Sequence, residues 1–147
     1  MAEMEARIKL YMAELDKVAT LLRSADIDLI ALKNSGITRG LYQNYSASPM
    51  GDVDVLVSPS KFRKAHELLI SNGYKLKFRS PLEEENIHKA ELGGGAEYLV
   101  KLPNDESLWF ELQWRPVAGR WIRPDQEPSA DELLSRAHSI DGSDALL

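Results

Sequence analysis

The chain has 147 residues, 44% hydrophobic and 28% charged, with a formal net charge of -5. That balance suits one soluble globular domain with a real core. It has no cysteine, which excludes disulfides and thiolate chemistry and is compatible with a reducing compartment. The negative charge gives no electrostatic basis for general duplex nucleic-acid binding. No apolar run approaches the ~20 residues that span a bilayer, so no membrane partner is expected. The acidic start, Met1-Ala2-Glu3-Met4-Glu5, lacks a signal-peptide pattern, and the expected location is cytoplasmic.

In chain order, Ile8, Tyr11, Met12, Leu15, Val18, Ala19 and Leu22 recur at helical spacing, so the first ~20 residues read as an amphipathic helix. Asp28 to Leu32 is a short apolar run, read as a buried strand. Lys33-Asn34-Ser35-Gly36 is a turn, with Ser35 capping a second helix through about Tyr42. Gln43 to Gly51 is polar and reads as a loop, and Asp52 to Val57 is a strand alternating acid and valine. Ser58-Pro59 reads as an N-cap with proline at the first helical position. The helix that follows carries an apolar stripe of Phe62, Ala65, Leu69 and Ile70 and ends at Asn72-Gly73, which supplies a left-handed residue.

Tyr74 to Phe78 alternates as a strand, and the charged stretch from Pro81 to Ala90 is irregular or briefly helical. Glu97–Leu102 and Leu108–Trp114 read as a hairpin joined by Pro103-Asn104-Asp105-Glu106. Gly93-Gly94-Gly95 precedes the hairpin. Triple glycine can cradle phosphate, but no strand-to-helix context follows it here, so it reads as a flexible turn. Ser129-Ala130-Asp131-Glu132 is a capping-box pattern that starts a short helix through about Ala137. The order predicts an α/β or α+β fold, a small mixed sheet with helices packed on it. The abrupt apolar end after Asp141 reads as a frayed tail or as a cut made before a further element of a longer protein, with the cut the favoured expectation.

The chemistry concentrates in Met50-Gly51-Asp52-Val53-Asp54-Val55-Leu56-Val57. Strand alternation puts Asp52 and Asp54 on one face and the valines on the other. Two carboxylates that close repel, so one protonates or a cation binds between them. A hard cation such as Mg²⁺ takes carboxylates plus substrate phosphates, which points to metal-dependent phosphoryl or nucleotidyl transfer. In Phe110-Glu111-Leu112-Gln113-Trp114-Arg115, the residues Glu111, Gln113 and Arg115 share one face. If that strand neighbours the acidic one, Glu111 stands beside Asp52 and Asp54, and three carboxylates can hold two divalent ions. Lys33, Arg39 and Arg115 are the first candidates to neutralise phosphate charge.

A plainer reading stands beside this one. Solvent-facing acids on an antiparallel strand need no function, and Arg115 can simply cover apolar surface or make an exposed ion pair. Trp109, Trp114 and Trp121 fit core or hairpin packing better than base stacking. His66, His88 and His138 are too scattered for metal-ligand spacing and receive no role.

Ala31-Leu32-Lys33-Asn34-Ser35, Gly40-Leu41-Tyr42, the acidic strand, Asn72-Gly73-Tyr74 and Phe110-Glu111-Leu112-Gln113-Trp114 together resemble, in order and spacing, the uncharacterised nucleotidyltransferase family of the DNA polymerase β superfamily. That family typically reads Leu-Lys-Gly, Leu-Tyr, Asp-x-Asp-Leu-Leu-Val, a helix ending in Gly-Tyr, and Glu-Leu-His-Trp. The resemblance spans roughly residues 28–140. It implies a minimal nucleotidyltransferase fold, with Mg²⁺ or Mn²⁺ held by Asp52, Asp54 and Glu111. It also implies a triphosphate approached by the turn at Lys33, Asn34 and Ser35, and a helical region downstream of the core.

Three positions depart from the pattern. Asn34 stands in place of a glycine that lets backbone approach the triphosphate, although asparagine tolerates a left-handed conformation. Gln113 replaces a histidine, and an amide cannot titrate near neutral pH. Ser48 stands near where many relatives carry an arginine. The resulting expectation is transfer of a nucleoside monophosphate from an NTP, ATP foremost, to an unidentified acceptor hydroxyl, with release of pyrophosphate. The alternative is a catalytically weak or inactive binding or regulatory module with a protein partner. A specialised case of the first is a sugar- or antibiotic-modifying enzyme with a cationic acceptor.

Overall fold

Helix α1 (Ala2–Arg23) opens the chain. Its 3–4-residue apolar spacing makes one continuous stripe, and Tyr11, Met12, Leu15, Val18, Ala19 and Leu22 on that stripe are all buried. The computed structural model describes residues 2–32, 52–78, 86–103, 105–115 and 129–137. Over these residues it contains β1 (Ile30–Leu32), β2 (Asp52–Leu56), a 3₁₀ turn (Pro59–Lys61), α2 (Phe62–Ser71), β3 (Lys75–Leu76), α3 (Ile87–Gly93), β4 (Gly95–Lys101), β5 (Ser107–Gln113) and α4 (Ala130–Ser135). The helix expected from Ser35 and the loop expected from Gln43 lie outside the described residues.

The strands form one sheet in the order β1-β2-β5-β4-β3. β2 and β5 run parallel, and the other neighbours are antiparallel. The fold is therefore α+β with a mixed sheet, consistent with a minimal nucleotidyltransferase fold. The parallel pair at the centre requires a long crossover, and the chain from Val57 to Glu106 supplies it.

The two faces differ as the alternation dictates. Ala31, Val53, Val55, Leu108, Phe110, Leu112, Ala96, Tyr98 and Val100 join one apolar core with the buried stripes of α1 and α2. The opposite face carries Leu56 and Ile30, which pack with Ala130 of α4 in a small second cluster. The remainder of that face holds the acids.

Several local details depart from expectation. Ser58 makes no side-chain cap bond; its hydroxyl pairs instead with Ser60 (3.1 Å), and the proline enters a 3₁₀ turn before the α-helix begins. β3 is only two residues long because it is an edge strand, although Lys77 adds one further ladder bond to Glu97 O (3.0 Å). Of the two readings open for the charged stretch before the hairpin, the structure has the brief helix, α3, which runs on to Gly93. Asn86 caps it by accepting from His88 N and Lys89 N, and Gly94 closes it in the left-handed region. Arg63 on α2 reaches both carboxylate oxygens of Glu91 on α3 (3.2 and 3.3 Å), and this pairing holds the Glu91 carboxyl below its usual range.

His66, given no role from sequence, is anchored from α2 to β4 through Nδ1 and the Tyr98 hydroxyl, 2.7 Å apart. Burial, followed by the positive Arg63, lowers the His66 pKa from 6.5, while Glu67 and Glu91 pull it upward. A histidine whose pKa is depressed by folding favours the native state only while neutral. Stability is thus full above pH 6.5 and declines as pH falls below it. Urea unfolding at pH 7.5 and 5.5 should show a larger loss in the wild type than in His66→Gln. Equal losses would mean that the ring titrates alike in both states.

Candidate active site

The site forms where β2 and β5 run side by side. In register, Asp52 pairs with Trp109, Asp54 with Glu111, and Leu56 with Gln113. Residues paired across adjacent strands project from the same face, so Glu111 stands beside Asp54 one strand spacing away, ~4.8 Å. On the other side of Asp54 lies Leu32 of β1. Asp54 is consequently only 4% exposed, whereas Glu111 is half-buried. Asp52 is placed by its backbone register, two positions before Asp54 on the same strand.

Sequence reasoning missed a fourth acid on this face. β4 pairs with β5 so that Glu97 lies opposite Glu111, Gly95 opposite Gln113 and Leu99 opposite Trp109. Asp54, Glu111 and Glu97 therefore form a row across three adjacent strands. The alternation of Glu97 with buried Ala96 and Tyr98 marked its face, but only the register reveals its neighbour. Among the described residues, no three His, Cys, Asp or Glu side chains make a ready-formed metal group. The donor chemistry of Asp54 and Glu111 nonetheless fits a hard divalent cation: carboxylate oxygens on adjacent strands, one of them withdrawn from solvent.

Beside Glu111 the face opens into a cleft of about 160 Å³, lined by Phe78, Gly93, Gly94, Gly95, Ala96, Glu97, Glu111 and Gln113. The triple glycine is not a free turn but the joint between α3 and β4. Gly94 has φ +102°, and a Cβ added there would stand 2.8 Å from Arg115 Cβ. Its carbonyl accepts from the backbone N–H groups of Trp114 and Arg115. Gly94→Ala should destabilise the fold by roughly 1–3 kcal/mol, because the left-handed strain adds to a backbone-proximal clash. Chemical denaturation measures this, and an unchanged midpoint would mean that the joint relaxes freely.

Arg115 departs from its expected place. β5 ends at Gln113, so the alternation does not extend to Arg115, whose stem lies over Gly94 in a bend. Trp114 packs against the main core and donates its indole N–H to Glu91 O (2.6 Å), as a packing role predicts. Gln113, the departure from the family histidine, is 6% exposed, and its Oε1 is buried without a hydrogen-bond partner among the described residues. Lys33, Asn34, Ser35, Arg39 and Ser48 lie outside the described residues, as do Trp121 and His138. Among the described residues, no helix is long and apolar enough to cross a membrane.

No curated protein matches the chain, and no solved structure matches it. The family model described as "Uncharacterised nucleotidyltransferase" matches residues 1–146, nearly the whole length. With that match the chain belongs to the uncharacterised nucleotidyltransferase family.

Proposed function

We propose that this domain transfers a nucleoside monophosphate from an NTP, ATP foremost, to a hydroxyl-bearing acceptor. The observation that carries this reading is the register of Asp54 with Glu111 on parallel central strands, in a chain of a nucleotidyltransferase family. Asp52, Asp54 and Glu111 would hold Mg²⁺ or Mn²⁺. Bound there, such a cation supplies neutralisation of triphosphate charge and acidifies a nearby hydroxyl.

The chain's own residues have three tasks. On the β1 side of the sheet, Lys33, Asn34, Ser35 and Arg39 would contact the triphosphate beside the acids of β2, while Arg115, expected there too, has its stem over Gly94 on the β4 side. Glu111 takes the proton from the acceptor hydroxyl as its oxygen bonds to the α-phosphorus. The bond from that phosphorus to the bridging oxygen breaks, and its electron pair leaves with pyrophosphate. Positioning and charge stabilisation account for such chemistry without a protein nucleophile.

Calorimetric titration with ATP and Mg²⁺ tests the reading. Wild type should bind, and an Asp52→Ala/Asp54→Ala double variant should not; identical heats from the two proteins reject the site. Gln113 in the family's histidine position favours one rival, a module that binds nucleotide without turnover. Radiolabelled ATP separates the two, because label reaches an acceptor only in an active enzyme.

A further inference from the structure

Gln113 stands in the site without a task. It is 6% exposed, and its Oε1 is buried with no hydrogen-bond partner among the described residues. Most buried side-chain oxygens accept at least one bond, so an amide oxygen left without one points to a donor or a cation that comes from outside the protein. Across the strands Gln113 faces Leu56 of β2 and Gly95 of β4, neither of which offers a side-chain hydrogen to donate. Arg115, with its stem over Gly94, leaves the oxygen unbonded.

Strand spacing gives this oxygen its company. Glu111 and Gln113 repeat on β5 the i, i+2 arrangement of Asp52 and Asp54 on β2, and the two pairs overlap where Asp54 lies opposite Glu111. The four residues therefore share one face of the central strand pair. Glu111 and Gln113 also line the same cleft of about 160 Å³. That is short of the ~300–1,000 Å³ pockets of drug-sized ligands, but it is room for one cation with several of its waters. Gly95 keeps the place open, because a Cβ there would stand 3.1 Å from Gln113 Cγ and crowd the stem of the amide.

We propose that Gln113 Oε1 is a ligand of the divalent cation at Glu111, and that it tilts the site toward Mg²⁺ and Mn²⁺ and away from Zn²⁺. The assignment rests on the transfer reading above. Hard cations take amide oxygens alongside carboxylates, whereas an imidazole nitrogen suits zinc. Affinity at a mixed site rises from Mn²⁺ to Zn²⁺, so withholding nitrogen is one way to keep the harder ion in place. The amide adds an oxygen to the set without a further negative charge beside Asp52, Asp54 and Glu111. It has no proton to gain or lose near neutral pH, so the ligand is the same throughout that range.

The test uses the full chain without nucleotide and reads metal affinity rather than turnover. Mn²⁺ is titrated by the electron-spin resonance of the free ion, and Zn²⁺ by competition with a chromophoric chelator. Gln113→Leu should weaken Mn²⁺ at least about tenfold, the lower end of what a supporting group contributes to a metal site. The thermal midpoint of the metal-free protein should hold or rise, because an unbonded buried oxygen is gone. Gln113→His should tighten Zn²⁺ relative to Mn²⁺ by about tenfold. Its Zn²⁺ binding should also weaken from pH 7.5 to 5.5 more than that of the wild type, since only a neutral ring ligates. Should the leucine variant fail to fold, the histidine variant decides. Unchanged Mn²⁺ affinity in Gln113→Leu, or an unchanged Zn²⁺-to-Mn²⁺ ratio in Gln113→His, overturns the role of Gln113. Loss of Mn²⁺ from the Asp52→Ala/Asp54→Ala protein in the same assay would then leave the transfer reading standing. A wild type that binds no Mn²⁺, with or without ATP, sinks both.

Discussion

Asp54→Asn should lower nucleotidyl transfer by at least ~10²-fold, the scale on which one preorganised electrostatic group contributes to a transition state. It should do so without loss of stability. Asp54 is buried between Leu32 and Glu111, and Glu111 in turn faces Glu97. Like charges directly opposite on adjacent strands destabilise a sheet by up to ~1 kcal/mol. Asparagine keeps the size of the side chain and removes one charge from the row, so the thermal midpoint should hold or rise. This opposition of activity and stability separates a functional carboxylate from a structural one. Activity that survives the substitution, or a fold that collapses with it, would assign Asp54 to architecture. Glu111→Gln should behave in the same direction, with less effect on stability because that side chain is half-exposed to water.

Phe110→Ala should cost ~3–5 kcal/mol, the usual range for emptying a buried aromatic position. Phe110 is wholly buried on the central strand β5, pairs in register with Val53 and Tyr98, and meets the Tyr74 ring edge-on at 5.4 Å. Tyr74 is itself fixed by donating its hydroxyl to buried Glu14 on α1 (2.6 Å). The substitution therefore leaves a cavity where α1, α2 and the sheet meet. Against a typical domain stability of ~5–15 kcal/mol, the loss is a large share of the whole. Urea denaturation gives the value. Phe110→Leu should lose clearly less, and equal losses for the two variants would show that ring packing contributes little.

Much of this architecture is legible in the residues themselves. The stripe from Tyr11 to Leu22, the acid–valine alternation of β2 and the hairpin around Asp105 are local patterns, and local patterns record helical or strand period directly. Ser129 capping Glu132 N (3.1 Å) and Gly73 at φ +91° are equally local. α3 was obscured by its charge. The signals that mark it are Asn86 at its start and Gly94 past its end, but the triple glycine invited a turn reading instead. The pairing of Asp54 with Glu111 follows from a parallel contact between distant strands, which no window of sequence contains. Family resemblance supplied the expectation that the two meet. Nothing supplied Glu97, because its importance depends on β4 lying outside β5 and on a register set by the hairpin.

The parallel contact of β2 with β5 also has a kinetic meaning. Everything between those strands must emerge before the second acid can reach the first, so the carboxylate pair depends on a contact between residues far apart in sequence, of the kind that forms slowly. During synthesis on the ribosome, β2 waits with its hydrogen-bonding edge unmatched until β5 arrives. The domain should accordingly gain its helices early and its chemistry late, and a chaperone would find its natural target in that interval.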